Sequence, residues 1–154
     1  GIPVMAHLGL TPQSLSQMGG YRVQGKNLSS FKKLLEDTLA VESAGAFSVL
    51  IEAIPEDVSA ELYKHIKVPL YGIGAGKHVD GQLVISHDML GLFVGEVDPK
   101  FVKKYINLSE SITNAFKEYK KDVESLSFPS EEHLYPIKED DLKEIQKYSS
   151  NYQS

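Results

Sequence analysis

A glutamate set inside the chain's strongest run of strand-forming residues is the side chain best placed to do chemistry. Glu52 lies near the end of Phe47-Ser48-Val49-Leu50-Ile51-Glu52-Ala53-Ile54, an apolar, partly β-branched run stopped by Pro55. Such a run reads as a buried strand. Alternation along it puts Phe47, Val49, Ile51 and Ala53 on one face and Ser48, Leu50 and Glu52 on the other. A carboxylate held dry must be paired, bind a metal or carry a raised pKa, and each outcome suits acid–base work. The competing role is a structural ion pair inside a barrel; the strand-end position favours chemistry over it. His7 ends the first strand-like segment, and His87-Asp88 ends a later one. In parallel α/β folds the C-terminal strand ends face the site, although a lone histidine is as often a hydrogen-bonded core or surface residue.

Two other motifs carry less. Gly72-Ile73-Gly74-Ala75-Gly76-Lys77 fails the dinucleotide pattern because its third glycine comes one residue early. It fails the P-loop pattern because His78, not Ser or Thr, follows Lys77. A strand end where glycines admit another backbone or a ligand is the better reading. His133 follows Glu131-Glu132 without metal-ligand spacing and reads as a surface residue.

The elements that must position these residues follow from pattern. Residues 2–7 look like a strand with nothing before it, so the beginning looks cut. The Gly-rich, polar stretch 8–30 is a loop of a length that is usually functional or disordered. Ser29 or Ser30 is expected to cap a helix from about Phe31, with Phe31, Leu34, Leu35, Thr38, Leu39 and Val41 as its apolar stripe and Gly45 at its end. Pro55 fits the first position of a second helix carrying Val58, Leu62 and Ile66. Strands are expected over 68–73 and 82–87. A helix should open at Asp98-Pro99, a longer one at Ser109, and a charged surface helix or tail should cover 138–147. Strand and helix alternate about four times, which argues for parallel βαβ units. A (β/α)8 barrel takes roughly 250 residues, so this amounts to about half of one.

Composition bounds the function. The 154 residues are 42% hydrophobic and 24% charged, the balance of a soluble globular domain. A net charge of -5 argues against sequence-independent nucleic-acid binding. With no cysteine, disulfides, thiolate zinc sites and cysteine nucleophiles are excluded. No stretch approaches the ~18 apolar residues of a membrane span, so a cytoplasmic protein is the expectation.

Taken together, several stretches resemble the ketopantoate hydroxymethyltransferase family. They are residues 1–14 (GIPVMAHLGLTPQS), 19–25 (GGYRVQG), 50–55 (LIEAIP), 72–76 (GIGAG), 80–88 (DGQLVISHD), 99–102 (PKFV) and 128–133 (FPSEEH). Ala6 stands where the family has a glycine, and the tail beyond Tyr135 has no counterpart. The resemblance implies a (β/α)8 barrel of the phosphoenolpyruvate/pyruvate type, of which this chain would be the C-terminal half over 1–136, with 137–154 a charged helix or tail. It implies transfer of a hydroxymethyl group from 5,10-methylenetetrahydrofolate to 3-methyl-2-oxobutanoate, giving 2-dehydropantoate, in an assembly that is commonly a decamer. Glu52 matches the general base and His7 a histidine beside the substrate. The magnesium ion that chelates the 2-oxo acid is held in the family by acids upstream of the segment that begins here, as is a substrate-binding lysine. The chain is therefore expected to carry the base and no metal ligands, and to be inactive alone. Another pyruvate-type barrel lyase or mutase, or a non-catalytic half-barrel, are the competing readings.

Overall fold

Val49 and Ile51 decide the architecture, because both are wholly excluded from solvent on one face of a central strand. In the computed structural model, which describes residues 1–14, 22–92 and 99–152, that strand is β2 (Ser48–Glu52). It pairs in parallel with β1 (Met5–Gly9) on one side and β3 (Leu70–Ile73) on the other, and β3 pairs in parallel with β4 (Gly81–Gln82). The order is β1-β2-β3-β4, so the protein is α/β with a parallel sheet.

Two helices cover one face of the sheet. They are α1 (Leu28–Ser43), between β1 and β2, and α2 (Glu56–Tyr63), between β2 and β3. Leu34 and Leu62 from these helices join Val49, Ile51, Ile54, Leu70 and Ala75 in the core, with Phe31, Leu35, Val58 and Ile66 packed around them. Each fully buried aliphatic side chain here contributes about 1.5–3 kcal/mol. The register is consistent with this: Ala6, Val49 and Leu70 form one row on the helix-covered face, and Leu8 and Ile51 the next.

Helix α1 starts earlier than expected. Its cap is Asn27, whose Oδ1 accepts from the Ser30 backbone N–H at 2.9 Å, while Ser30 Oγ accepts in return from the Asn27 N–H at 3.2 Å. Asparagine caps as well as serine, and the reciprocal bond makes Ser30 the third helical residue rather than the cap. Pro55 is likewise the cap of α2 rather than its first residue. Strand β3 begins only at Leu70 because Glu42 Oε1 takes the N–H groups of Lys67 and Val68, at 2.6 and 3.0 Å, and Pro69 has none to give.

The crossover from β3 to β4 has no helix, contrary to the regular alternation. Its seven residues, 74–80, turn with the help of Gly74 and Gly76, whose φ values are +65° and +75°. Asp80 closes the crossover: Oδ2 accepts from the Leu70 N–H at 2.8 Å and Oδ1 from the Tyr63 hydroxyl at 2.7 Å. These bonds, the Leu70 one foremost, hold its carboxyl below the usual range. A depressed carboxyl contributes stability above its unfolded pKa and loses it as the pH falls through the folded value. Asp80→Asn should therefore lower Tm at neutral pH and narrow its gap to wild type in strong acid. Thermal unfolding followed across pH measures this, and a gap that does not narrow in acid would contradict it.

The strand expected over 82–87 ends almost at once. After Leu83 donates to the Gly72 carbonyl at 2.8 Å the short β3 offers little further ladder, and a single helical turn, α3 (Ser86–Met89), takes over. Residues 99–107, where a helix is expected from Pro99, form none. The Tyr105 N–H donates instead to the Met89 carbonyl at 2.9 Å, and a helix starts only at Leu108, where two N–H groups of its first turn, those of Leu108 and Ser109, donate to the carbonyls of Leu90 and Gly91. Asp98 lies outside the described residues.

The chain divides into two compact units, Gly1–Ser109 and Glu110–Ser154. The second holds most of α4 (Leu108–Glu124) and all of α5 (Glu139–Ser149), both solvent-exposed along their length. Within it the Phe128 ring meets Tyr119 and His133 edge-on, at centroid distances of 5.8 and 5.0 Å. Among the described residues, no helix is long and apolar enough to cross a membrane.

Candidate functional site

The face of the sheet opposite α1 and α2 carries Met5 and Ser48, then His7, Leu50 and Tyr71, then Gly9, Glu52 and Ile73, row by row toward the C-terminal strand ends. His7 and Glu52 are therefore diagonal neighbours, one strand and one row apart. Nε2 of His7 lies 3.0 Å from Oε2 of Glu52, with 26% and 13% of the two side chains exposed. Sequence order separates them by 45 positions; the parallel register of β1 on β2 brings them together. Nε2 is buried yet has no well-aligned hydrogen bond to any group. The imidazole and the carboxylate are thus in close polar contact without a well-aligned hydrogen bond between them.

Electrostatics at the pair run in opposition. Burial pushes the Glu52 carboxyl above its ordinary range, and the neighbouring His7 pulls it back, the upward effect winning. A carboxylate in this state is a stronger base than one in water and still ionises.

Gly9 lets the end of β1 approach the Glu52 backbone closely. It sits opposite Glu52 in the register with φ +84°, and a Cβ there would run into the Glu52 carbonyl oxygen. The backbone beyond is tied from three directions. The Leu10 N–H donates to the Glu52 carbonyl at 2.9 Å, the Ala53 N–H to the Ile73 carbonyl at 3.0 Å, and the Gln24 N–H to the Ala53 carbonyl at 2.9 Å. Between these ties Ala53 adopts φ +51°, the left-handed region. For a residue with a Cβ that conformation costs on the order of 1 kcal/mol, and it persists only where surroundings impose it.

The remaining sequence candidates separate clearly. His87 and Asp88 fall in the α3 turn, with no hydrogen bond or ion pair to His7 or Glu52. In the glycine run, a Cβ at Gly74 would overlap the Phe101 ring and one at Gly76 would overlap Glu56, so the close approach there is made by the protein itself. His133 accepts or donates locally at Nδ1 to Ser130 Oγ, 2.7 Å away, and fits the surface reading. Ala53 is the feature that sequence reasoning missed. Alanine carries no mark of left-handed backbone, whereas Gly or Asn at that position would have been a signal. Among the described residues, no three His, Asp or Glu side chains approach closely enough to hold a metal ion.

Comparison with known proteins adds an independent line. Residues 1–131 match the family model for ketopantoate hydroxymethyltransferase. The chain is 48% identical over 144 residues to a 3-methyl-2-oxobutanoate hydroxymethyltransferase of Syntrophomonas wolfei, covering 94% of this chain and 52% of that protein. It is 47% identical over 146 residues to the protein of the same name from Clostridium acetobutylicum, covering 95% and 52% respectively. With the corresponding protein of Alkaliphilus metalliredigens it shares 51% identity over 137 residues, 89% of this chain and 48% of that one. The chain thus spans about half the length of the curated relatives it matches.

Proposed function

The chain belongs to the ketopantoate hydroxymethyltransferase family, and from this we propose that it supplies the proton-abstracting part of a site that hydroxymethylates 3-methyl-2-oxobutanoate. In this reading Glu52 is the general base and His7 binds the substrate beside it. The observation that carries the reading is the 3.0 Å approach of His7 to a largely buried, pKa-raised carboxylate at the C-terminal end of a parallel strand. Four parallel strands in sequential order support the C-terminal half of a (β/α)8 barrel of the phosphoenolpyruvate/pyruvate type.

Glu52 would remove the proton from the carbon next to the ketone. The resulting enolate accepts the one-carbon unit of 5,10-methylenetetrahydrofolate, and one water supplies the hydroxyl oxygen as the carbon–nitrogen bonds to the folate break, giving 2-dehydropantoate and tetrahydrofolate. Exclusion of water keeps the carboxylate basic, and His7 steadies both it and the bound oxo acid. For the magnesium ion that the family resemblance implies, the described residues offer no group of three His, Asp or Glu ligands. A cytoplasmic setting and a homo-oligomeric, decameric assembly complete the proposal.

The assembled enzyme, incubated with magnesium, methylenetetrahydrofolate and 3-methyl-2-oxobutanoate, should form 2-dehydropantoate at a rate proportional to protein. No product, or turnover of the oxo acid without folate, would overturn the proposal.

A further inference from the structure

Three segments meet on the peptide that follows Glu52. Leu10, just past the end of β1, grips the Glu52 carbonyl; Gln24, where the chain comes back ahead of α1, grips the Ala53 carbonyl; and the end of β3 holds the Ala53 N–H. The left-handed Ala53 is what lets both carbonyls face those donors at once. With the ordinary negative φ of an extended strand, the Ala53 carbonyl would turn away from Gln24 and the chain would leave the sheet in another direction. Ala53 is 6% exposed, so it has little freedom to relax.

We infer that Ala53 is a positioning residue: its left-handed backbone, clamped by Leu10, Gln24 and Ile73, fixes the direction in which Glu52 meets His7. This rests on the reading of Glu52 as the base. It adds that both ends of the segment between Leu10 and Gln24 are tied to the base's own peptide, so anything that shifts those ends shifts the carboxylate.

The test uses residues that differ in tolerance of left-handed backbone. Glycine adopts it freely and asparagine readily, whereas β-branched valine resists it. The readout is C3-proton exchange of 3-methyl-2-oxobutanoate in D2O by the assembled enzyme, against pH, beside oxo-acid affinity. Ala53→Gly and Ala53→Asn should hold exchange within about threefold of wild type, with the acid limb in place. Ala53→Val should lose about a hundredfold, the scale set by a misplacement near 1 Å. Its acid limb should move to lower pH as the carboxylate swings toward water, with affinity nearly unchanged.

A simple space-filling role predicts instead that Asn, larger than Ala and polar, also loses exchange well beyond threefold, and that Val loses it with its acid limb in place. If Val does not fold, the Asn variant decides alone: a wild-type limb supports the inference and a displaced one overturns it. Glu52→Gln, run alongside, keeps the two claims apart. Exchange surviving in Glu52→Gln removes the base, whereas its loss together with normal exchange in Ala53→Val removes only the positioning role.

Discussion

Glu52→Gln should abolish C3-proton exchange, by about a thousandfold, while the variant still binds 3-methyl-2-oxobutanoate, because a positioned general base accounts for roughly 10²–10⁴ in rate. Glutamine keeps the size and most of the shape of glutamate but has no lone pair basic enough to accept a carbon-bound proton. Substrate affinity, measured by calorimetry, should change little, since His7 and the rest of the face remain. The fold should also survive. A carboxyl whose pKa is raised on folding weakens the native state as the pH climbs from the ordinary carboxylate range through the raised value. Above that window the buried charge is a cost, and removing it leaves stability at neutral pH equal or higher. Deuterium incorporation followed by NMR distinguishes the outcomes, and wild-type exchange in the variant would clear Glu52 of the role. Losing oxo-acid binding together with exchange would instead make Glu52 a binding residue.

What the sequence made legible was whatever rests on periodicity. The alternation through residues 48–52 placed Glu52 on the face opposite Val49 and Ile51, and those two are the residues the helices cover. The stripe through Leu34 and Thr38 likewise marked the buried side of α1. Pairing register is not legible in one strand, because it depends on two. The separation of His7 from Glu52 could be guessed only as "both at strand ends", and the 3.0 Å contact follows from Gly9 standing opposite Glu52. Competition for backbone donors was invisible for the same reason. Glu42 shortens β3, and the Met89 carbonyl of the α3 turn takes the Tyr105 N–H, which a local reading gives to a helix after Pro99. The apolar run Leu83-Val84-Ile85 looked like a strand, but a strand needs a neighbour as long as itself. Each miss is a case of a distant partner outbidding local propensity.

His7→Ala should move the acid limb of C3-proton exchange to higher pH. The imidazole is what opposes burial at Glu52, so without it burial acts alone and the carboxyl ionises later. At neutral pH a smaller fraction of the enzyme then carries the active base, and exchange slows; raising the pH should restore much of it, because the base itself is intact. Oxo-acid affinity should fall by about tenfold or more, the scale of a lost hydrogen bond to a charged group, and that loss should persist at every pH. The two effects are separable because one titrates and the other does not. The direction is also opposite to that expected for Ala53→Val, in which the carboxylate escapes to water and its limb moves down. A limb that stays in place in His7→Ala would mean the 3.0 Å approach carries no electrostatic coupling. A limb that moves down would mean the histidine helps to keep Glu52 dry instead of helping it to ionise.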